Sequence, residues 1–248
     1  MRTIRLTVAY DGTDFSGFQT QPGRRTVQKT MESAIEEIIG TFVRIEGAGR
    51  TDTGVHASGQ VISFRCDSSL PSARLARAID AVLPPDVAIV DSSEVGSDFH
   101  ARYSARGREY RYSIWNATER PILERRRVHH WRARLDEGAM GDVAKEFVGC
   151  HDFAAFAGTF RGRRSAVTTV RVLHRLDCWR ERQLILIDAA ANGFLPHMVR
   201  NLAGTLIRAG MGQLTATDVR AVLEGTGSRI PGITAPSHGL CLTRVWYD

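Results

Sequence analysis

Strand-like and helix-like stretches alternate along this chain, and both halves show them in a similar order. Polar and apolar residues alternate over 3–10, as on a half-buried strand. Apolar residues then recur at helical spacing over 27–38, between a capping Thr26 and a terminating Gly40. A hairpin predicted around 180–182 adds an antiparallel pair of strands. We therefore expect an α+β protein of two similar halves with antiparallel or mixed sheets.

The second half repeats the outline of the first half without repeating its sequence. We predict an N-terminal half over 1–115 and a C-terminal half over 131–248, joined by a charged, proline-containing linker over 116–130. The remaining alternating patterns predict strands over 41–46, 61–64, 87–95, 104–115, 167–179, 183–191 and 240–247. Helical spacing predicts helices over 136–148 and 195–209, and two further helices are predicted to be capped by Ser72 and Thr217.

The charge of the chain favours a polyanionic partner. It has 33 basic and 27 acidic residues, a net charge of +6, and all the basic residues except Lys29 and Lys145 are arginine. Guanidinium groups bind phosphate with two hydrogen bonds and stack on bases, so this bias fits RNA. A genomic preference for arginine codons explains the same bias without any RNA. Charge alone therefore indicates a partner class only weakly.

Cysteine and histidine usage argues against a metal site. The four cysteines, at 66, 150, 178 and 241, form no Cys-x-x-Cys pair, and no two histidines are spaced i,i+4. The first ten residues lack a signal-peptide core, and no apolar run approaches membrane-spanning length. We expect a cytoplasmic protein with free thiols, no metal, no membrane contact and no cofactor.

The most distinctive local sequence is the glycine-rich stretch GAGRTDTGVHA over 47–57. Its glycines let the backbone turn sharply and come close to a ligand. Arg50 supplies a fixed positive charge, which keeps a nearby carboxylate ionised. An ionised Asp52 on such a loop is a suitable nucleophile or general base. We call residues 47–55 the motif loop.

The motif loop shares part of its sequence with two other kinds of functional motif. Asp52-Thr53-Gly54 is the triplet of aspartic proteases, but those enzymes need two such carboxylates and the chain has only one triplet. A dinucleotide loop of the form Gly-x-Gly-x-x-Gly would need glycine at position 52. The remaining alternative is an ordinary turn that Asp52 merely caps.

The whole stretch closely resembles the active-site motif of the TruA family, tRNA pseudouridine synthases that act on the anticodon arm. The resemblance implies that Asp52 is the catalytic residue. Segments 10–13, 17–19, 99–102 and 151–153 also match the family, so the likeness covers nearly the full length.

Arg200 is the second candidate catalytic residue. It lies in a segment, 194–204, that is too apolar for a surface helix, and an unpaired buried guanidinium is strongly destabilising. We therefore expect a carboxylate partner. The segment resembles the family's His-Met-Val-Arg-Asn motif, which implies that Arg200 pairs with Asp52. A structural ion pair with another acid is the alternative.

Tyr110 is the third candidate. On spacing alone, residues 108–112 (Arg-Glu-Tyr-Arg-Tyr) form an ordinary strand with aromatic cross-strand contacts. The stretch resembles the family's basic-x-Tyr-x-Tyr motif, which implies that Tyr110 stacks on the target base and that Tyr112 belongs to the core. Stacking on a ring gains roughly 1–3 kcal/mol and offsets much of the cost of unstacking the base.

The remaining candidates concern substrate binding. By resemblance, Leu240 lines the base pocket, and Arg50 and His56 of the active-site motif join the substrate-binding set. Pro196, expected in the first turn of its helix, replaces the aromatic residue or histidine usual in the family. Five arginines in polar loops are candidates for phosphate contacts, with a solvated charge run as the alternative: Arg24, Arg25, Arg161, Arg163 and Arg164.

The resemblance implies isomerisation of uridine to pseudouridine at positions 38, 39 and 40 of the anticodon stem-loop. Asp52 would add to the base, attack C1′ or remove the C2′ proton, and the sequence does not distinguish these routes. The resemblance also implies a homodimer that grips tRNA, with the two halves of each chain facing a basic cleft. The alternative is a non-catalytic RNA-binding module of the same fold.

Overall fold

A computed structural model describes residues 1–158, 168–227 and 233–247 of the chain. Contacts divide the chain into an N-terminal unit of residues 1–106 with 241–248, and a C-terminal unit of residues 107–240. The domain boundaries inferred from the sequence, at 115 and 131, remain a prediction.

Ten strands and five helices are present in the described residues, so the predicted α+β class is confirmed. The strands are β1 (Arg2–Tyr10), β2 (Glu46–Gly47), β3 (His56–Cys66), β4 (Val87–Val95), β5 (Gly107–Asn116), β6 (His129–Trp131), β7 (Gly149–Asp152), β8 (Val170–Glu181), β9 (Leu184–Ala191) and β10 (Leu240–Trp246). The helices are α1 (Val27–Ile39), α2 (Ser72–Val82), α3 (Glu137–Glu146), α4 (Met198–Gly210) and α5 (Ala216–Leu223).

The N-terminal unit is built on a mixed sheet in the order β4-β1-β3-β10, with β2 added to β3. Strand β1 runs antiparallel to both neighbours, and Leu6 stands opposite Ile62 on β3 and Ser92 on β4. Strand β10 pairs with β3 in parallel, with Cys241 opposite His56. The predicted alternation of β1 is confirmed, because Leu6 and its neighbours on the same face are fully buried.

Helix α1 has the predicted caps, whereas the strand predicted over 41–46 is mostly wrong. The Thr26 hydroxyl accepts a hydrogen bond from the N–H of Lys29, and Gly40 ends the helix at a φ of 81°. Only Glu46 and Gly47 form a strand. The backbone N–H of Ile45 instead donates to the carboxylate of Glu32 on α1, at 3.3 Å. The backbone of Ile45 is therefore hydrogen-bonded to a helix side chain rather than to a neighbouring strand.

The C-terminal unit has the sheet order β5-β9-β8-β7, with antiparallel neighbours and β6 added in parallel to β5. The predicted hairpin is confirmed: β8 and β9 meet at a tight turn in which Arg182 has a φ of 55°. The stretch predicted as a linker, 116–130, ends inside β6. It is therefore partly hydrogen-bonded into this sheet.

Two helices of the C-terminal unit begin at other residues than predicted. Helix α4 begins at Met198 rather than 195, because His197 adopts a left-handed conformation with a φ of 58°. Pro196 therefore precedes the helix, and its predicted place in the first helical turn is wrong. Helix α5 is capped by Thr215 rather than Thr217, through a reciprocal capping box with Asp218.

Candidate active site

The motif loop connects β2 to β3 and is fixed by its own backbone. The N–H of Ala48 donates to the carbonyl of Val61 at 2.8 Å, and the N–H of Val55 donates to the carbonyl of Asp52 at 3.1 Å. Gly54 has a φ of 78°, a conformation that favours glycine. The resulting turn leaves the Asp52 side chain half-buried and Arg50 exposed.

The chain segment after β1 braces the loop from the other side. The N–H of Phe18 donates to the carbonyl of Thr51 at 3.0 Å, and the N–H of Gly54 donates to the carbonyl of Phe15 at 3.3 Å. The hydroxyls of Tyr10 and Thr51 share a hydrogen bond of 2.8 Å in the interior. Thr51, which precedes Asp52, and Gly54, which follows it, are therefore both tied to the body of the unit.

A buried glutamine completes this support. The Gln60 side chain is fully buried on β3, and its amide nitrogen donates to the carbonyl of Gly49 at 2.9 Å. The same nitrogen lies 3.5 Å from the Tyr10 hydroxyl. Burial raises the pKa of Tyr10 to about 12, so this hydroxyl stays protonated. The role of Gln60 was missed from the sequence, although one polar amide within an apolar strand is a visible signal.

His56, the first residue of β3 after the motif loop, is buried rather than exposed. Its ring is buried, and Nδ1 accepts a hydrogen bond of 3.0 Å from the backbone N–H of Gly12. This contact joins the end of β1 to the start of β3. The geometry therefore gives His56 a part in positioning the loop, and its proposed contact with substrate remains a prediction.

Replacing Gly12 with alanine is expected to destabilise the N-terminal unit by about 1–3 kcal/mol. A Cβ at this position would lie 2.0 Å from the carbonyl oxygen of Val55, a backbone atom that cannot rotate away. Urea-induced unfolding measures the effect. The matched control is Gly141→Ala on α3, where the nearest atom is 3.9 Å away and helix propensity favours alanine by about 0.5–1 kcal/mol. Equal stabilities of the two variants would contradict the close approach.

The predicted phosphate contacts differ in their surroundings. Arg25 binds the carboxylate of Asp86 with two hydrogen bonds of 2.6 and 2.8 Å, and its guanidinium lies 4.0 Å from the ring centre of Phe15. This pairing lowers the pKa of Asp86. Arg25 is thus already engaged, whereas the neighbouring Arg24 is exposed. Arg161, Arg163 and Arg164 lie outside the described residues.

In the C-terminal unit, Tyr110 stands on β5 opposite the small side chain of Ala189 on β9. Its ring is 8% exposed and meets the ring of Phe194 edge-on, with centres 5.2 Å apart. The apolar wall that Phe194 provides therefore limits how the Tyr110 ring can tilt.

Ion pairs hold the strand on both sides of Tyr110. Arg111 binds the buried carboxylate of Asp188 with two hydrogen bonds of 2.7 and 2.8 Å, which raises the pKa of Arg111. Glu109 is paired with Arg175 on β8. These contacts fix β5 against the sheet, so the Tyr110 ring has a defined position.

Arg200 is held by the segment that leads into β10. Its Nε donates to the carbonyl of Ala235 at 2.7 Å, and the N–H of Ala235 donates back to the carbonyl of Arg200 at 3.1 Å. The side chain is half-buried in the first turn of α4. This reciprocal pair sets the direction in which the guanidinium points.

Tyr112 holds the same segment from β5. Its hydroxyl donates to the carbonyl of Pro236 at 3.0 Å, and burial raises the pKa of this tyrosine above its usual value. A Cβ on Gly239 would lie 2.8 Å from the Tyr112 ring, so only glycine fits there. The neighbouring Leu240 is buried. Tyr112 is therefore more than a core residue, because it holds the chain segment that leads into Leu240.

Asn201, the last residue of the His-Met-Val-Arg-Asn motif, links two other segments to α4 through its side chain. Its amide nitrogen donates to the carbonyl of Phe156 at 2.7 Å, and its amide oxygen accepts from the hydroxyl of Thr234 at 2.8 Å. The start of α4 is thus joined both to the 151–156 segment and to the segment that Arg200 contacts.

The two units thus present different chemistry. The N-terminal unit offers a carboxylate on a rigid loop beside the exposed Arg50, and the C-terminal unit offers an anchored guanidinium, a fixed tyrosine ring and a buried leucine. No group of three or more His, Cys, Asp or Glu side chains suited to a metal ion occurs in the described parts of the chain. Among those same residues, no helix is long and apolar enough to cross a membrane.

Comparison with known proteins gives full-length relatives. The sequence is 42% identical over 248 residues to tRNA pseudouridine synthase A of Ruminiclostridium cellulolyticum, covering all of both chains. It is 41% identical over 247 residues to the protein of that name from Acetivibrio thermocellus, again over all of both chains. A third, from Maridesulfovibrio salexigens, is 42% identical over the whole of this chain and 91% of its own length.

The sequence pattern of one protein family matches residues 6–104 and 143–248. The matched ranges include Asp52 and Arg200, whereas Tyr110 lies in the stretch between them. Because the match extends over most of the chain and the relatives share its full length, this chain belongs to the tRNA pseudouridine synthase family.

Proposed function

We propose that this protein converts uridine to pseudouridine in tRNA, at positions 38, 39 and 40 of the anticodon stem-loop, with Asp52 as the catalytic residue. The observation that carries the proposal is the rigid motif loop, in which Thr51, Gly49 and Gly54 are each hydrogen-bonded to the body of the N-terminal unit while Asp52 stays half-buried. The names of the full-length relatives support the substrate class.

The reaction is an isomerisation and needs no redox change or external group. The N1–C1′ bond of uridine breaks, the base turns, a C5–C1′ bond forms, C5 loses its proton and N1 gains one. Asp52 starts this sequence by adding to the base, attacking C1′ or removing the C2′ proton. Each route requires an ionised carboxylate in a fixed place, which a braced loop supplies.

The other candidate residues have supporting roles. Arg200 pairs with Asp52, and the Nε bond to Ala235 aims the rest of its guanidinium. Tyr110 stacks on the flipped base, whereas the hydroxyl of Tyr112 on the same strand is bonded to Pro236. Leu240 packs against the base, and Arg50 contacts a phosphate or fills the space that the base leaves.

The cellular setting follows from the same proposal. The enzyme acts in the cytoplasm, where tRNA is processed, and works without a cofactor. It functions as a homodimer that holds one tRNA across both subunits. These statements rest on the resemblance to the family. Sedimentation of the enzyme with and without tRNA tests the homodimer and its complex with one tRNA.

Product mapping tests the proposal. Unmodified tRNA transcripts that carry a single uridine at position 38, 39 or 40 are incubated with the enzyme, and pseudouridine is located by chemical mapping. We expect product at each of the three positions and none in a transcript that lacks all three uridines. Tight tRNA binding without product in any transcript would favour the non-catalytic RNA-binding module.

A further inference from the structure

An exposed loop in the C-terminal unit has the properties of an RNA-binding surface. It comprises residues 122–127, Ile-Leu-Glu-Arg-Arg-Arg, and all six are exposed. The residues at either end, Pro121 and Val128, are buried. The loop therefore projects between two anchored ends. We call it the 122–127 loop.

Hydrogen bonds fix the base of this loop. The indole nitrogen of Trp115 donates to the carbonyl of Glu119 at 2.9 Å, and Nε2 of His130 lies 2.9 Å from the carbonyl of Ala117. Within the loop, Arg125 donates to the carbonyl of Ile122 at 2.7 Å. Because its base and turn are held, the loop loses less conformational entropy on binding than a free tail would.

Positive charge is concentrated here. Residues 117–134 contain six arginines and two glutamates, a net charge of +4 against +6 for the whole chain. Two large apolar side chains stand beside the arginines, Ile122 at 58% exposed and Leu123 at 89% exposed. Exposed arginines together with apolar side chains suit a partner that offers phosphates and the faces of sugars or unstacked bases.

The charge also argues against contact between two copies of this loop. A symmetric interface would bring Arg125, Arg126 and Arg127 of one copy against the same residues of the other, and like charges at close range are unfavourable. A polyanion has the complementary sign. The loop lies between the two ranges that match the family pattern, 6–104 and 143–248.

We propose that the 122–127 loop binds the phosphate backbone of the tRNA substrate through Arg125, Arg126 and Arg127, as a surface additional to the catalytic residues. The substrate class rests on the proposed function. Each arginine that neutralises a phosphate releases counterions, so binding through the loop weakens as salt rises.

The test compares a loop variant with a charge-matched control. The loop variant carries Arg125→Gln, Arg126→Gln and Arg127→Gln. The control carries Arg44→Gln, Arg74→Gln and Arg77→Gln, three exposed arginines of the N-terminal unit, so both variants lose the same net charge. Filter binding measures the Kd for unmodified tRNA transcript over a series of KCl concentrations, and sedimentation gives the oligomeric state of each protein.

We expect the loop variant to bind tRNA about tenfold to a hundredfold more weakly than wild type at low KCl. The slope of the logarithm of the binding constant against the logarithm of the KCl concentration should become less steep by about one unit for each phosphate contact that is lost. The control is expected to keep the wild-type Kd. Equal weakening in both variants would show a general charge effect and overturn the inference. A wild-type Kd in the loop variant, or a change in its oligomeric state, would also overturn it.

Failure of the proposed function gives a different result. If wild-type protein makes no pseudouridine while the loop variant still binds tRNA more weakly than the control, the catalytic proposal fails and the loop remains an RNA-binding surface. If wild type makes pseudouridine and both variants bind like wild type, the catalytic proposal stands and the loop inference is wrong.

Discussion

Replacing Asp52 with asparagine is expected to lower pseudouridine formation by roughly 10⁴-fold or more while tRNA binding stays close to that of wild type. Asparagine has nearly the same shape but cannot act as a nucleophile or base on any of the three routes. The hydrogen bonds that hold the loop involve the backbone of Asp52 and the residues around it. The variant loop should therefore keep its structure.

Single-turnover product mapping and filter binding measure the two effects of this change separately. Asp142→Asn is a matched control, because Asp142 is an exposed residue of α3 that forms a surface pair with Lys145. Its turnover should equal that of wild type. Turnover by Asp52→Asn within about tenfold of wild type would remove Asp52 from the catalytic role, since loss of an essential group costs far more.

Replacing Arg200 with leucine is expected to lower both stability and activity. The change removes the 2.7 Å bond to the carbonyl of the buried Ala235, and leaving that acceptor unpaired costs about 1–3 kcal/mol. If Arg200 pairs with Asp52 as we propose, loss of its positive charge should lower turnover by roughly a hundredfold or more, the scale found when one charge-stabilising group is removed from an active site.

Urea-induced unfolding and single-turnover assays follow these two effects. Arg200→Lys keeps the charge but lacks the planar fork, so it should retain more activity than Arg200→Leu. Arg77→Leu on α2 controls for loss of an exposed arginine and should leave activity unchanged. Full activity in Arg200→Leu would contradict the proposed pair with Asp52.

A double-mutant cycle tests that pair directly. Asp52→Asn, Arg200→Leu and the doubly substituted protein are each unfolded in urea. If the two side chains interact in the folded enzyme, the combined destabilisation should differ from the sum of the single effects by about 0.5–3 kcal/mol. Strict additivity would show that Arg200 has another partner.

The sequence predicted well those features that depend on neighbouring residues. The caps of α1 are local: Thr26 bonds to a residue three positions ahead, and Gly40 adopts a left-handed conformation. The alternation over β1 reflects the two faces of a strand. The capping box of α5 is equally local, because Asp218 follows Thr215 by three residues, so the wrong prediction of a cap at Thr217 overlooks a signal that the sequence contains.

Features that depend on distant residues were not predicted. The strand expected over 41–46 failed because Glu32, thirteen residues before Ile45, bonds to its backbone. Helix α4 begins late because His197 is left-handed, which its neighbours in sequence do not announce. No periodic pattern signals either effect.

The site shows the same division. Asp52 was found because its loop carries a compact motif. The contribution of Gln60 to that loop, and of Tyr112 to the segment before Leu240, comes from contacts between residues eleven and 124 positions apart. Such supports are set by the tertiary fold, so the sequence alone names the reacting group more easily than what holds it.

The most direct test of this account is tritium release from a tRNA transcript labelled at uridine C5, because formation of the C5–C1′ bond expels that hydrogen. We predict release by wild-type protein, with one tritium lost for each pseudouridine formed, and no release above background by Asp52→Asn. Absence of release by the wild type, or equal release by both proteins, would contradict the claim that this chain is a pseudouridine synthase that depends on Asp52.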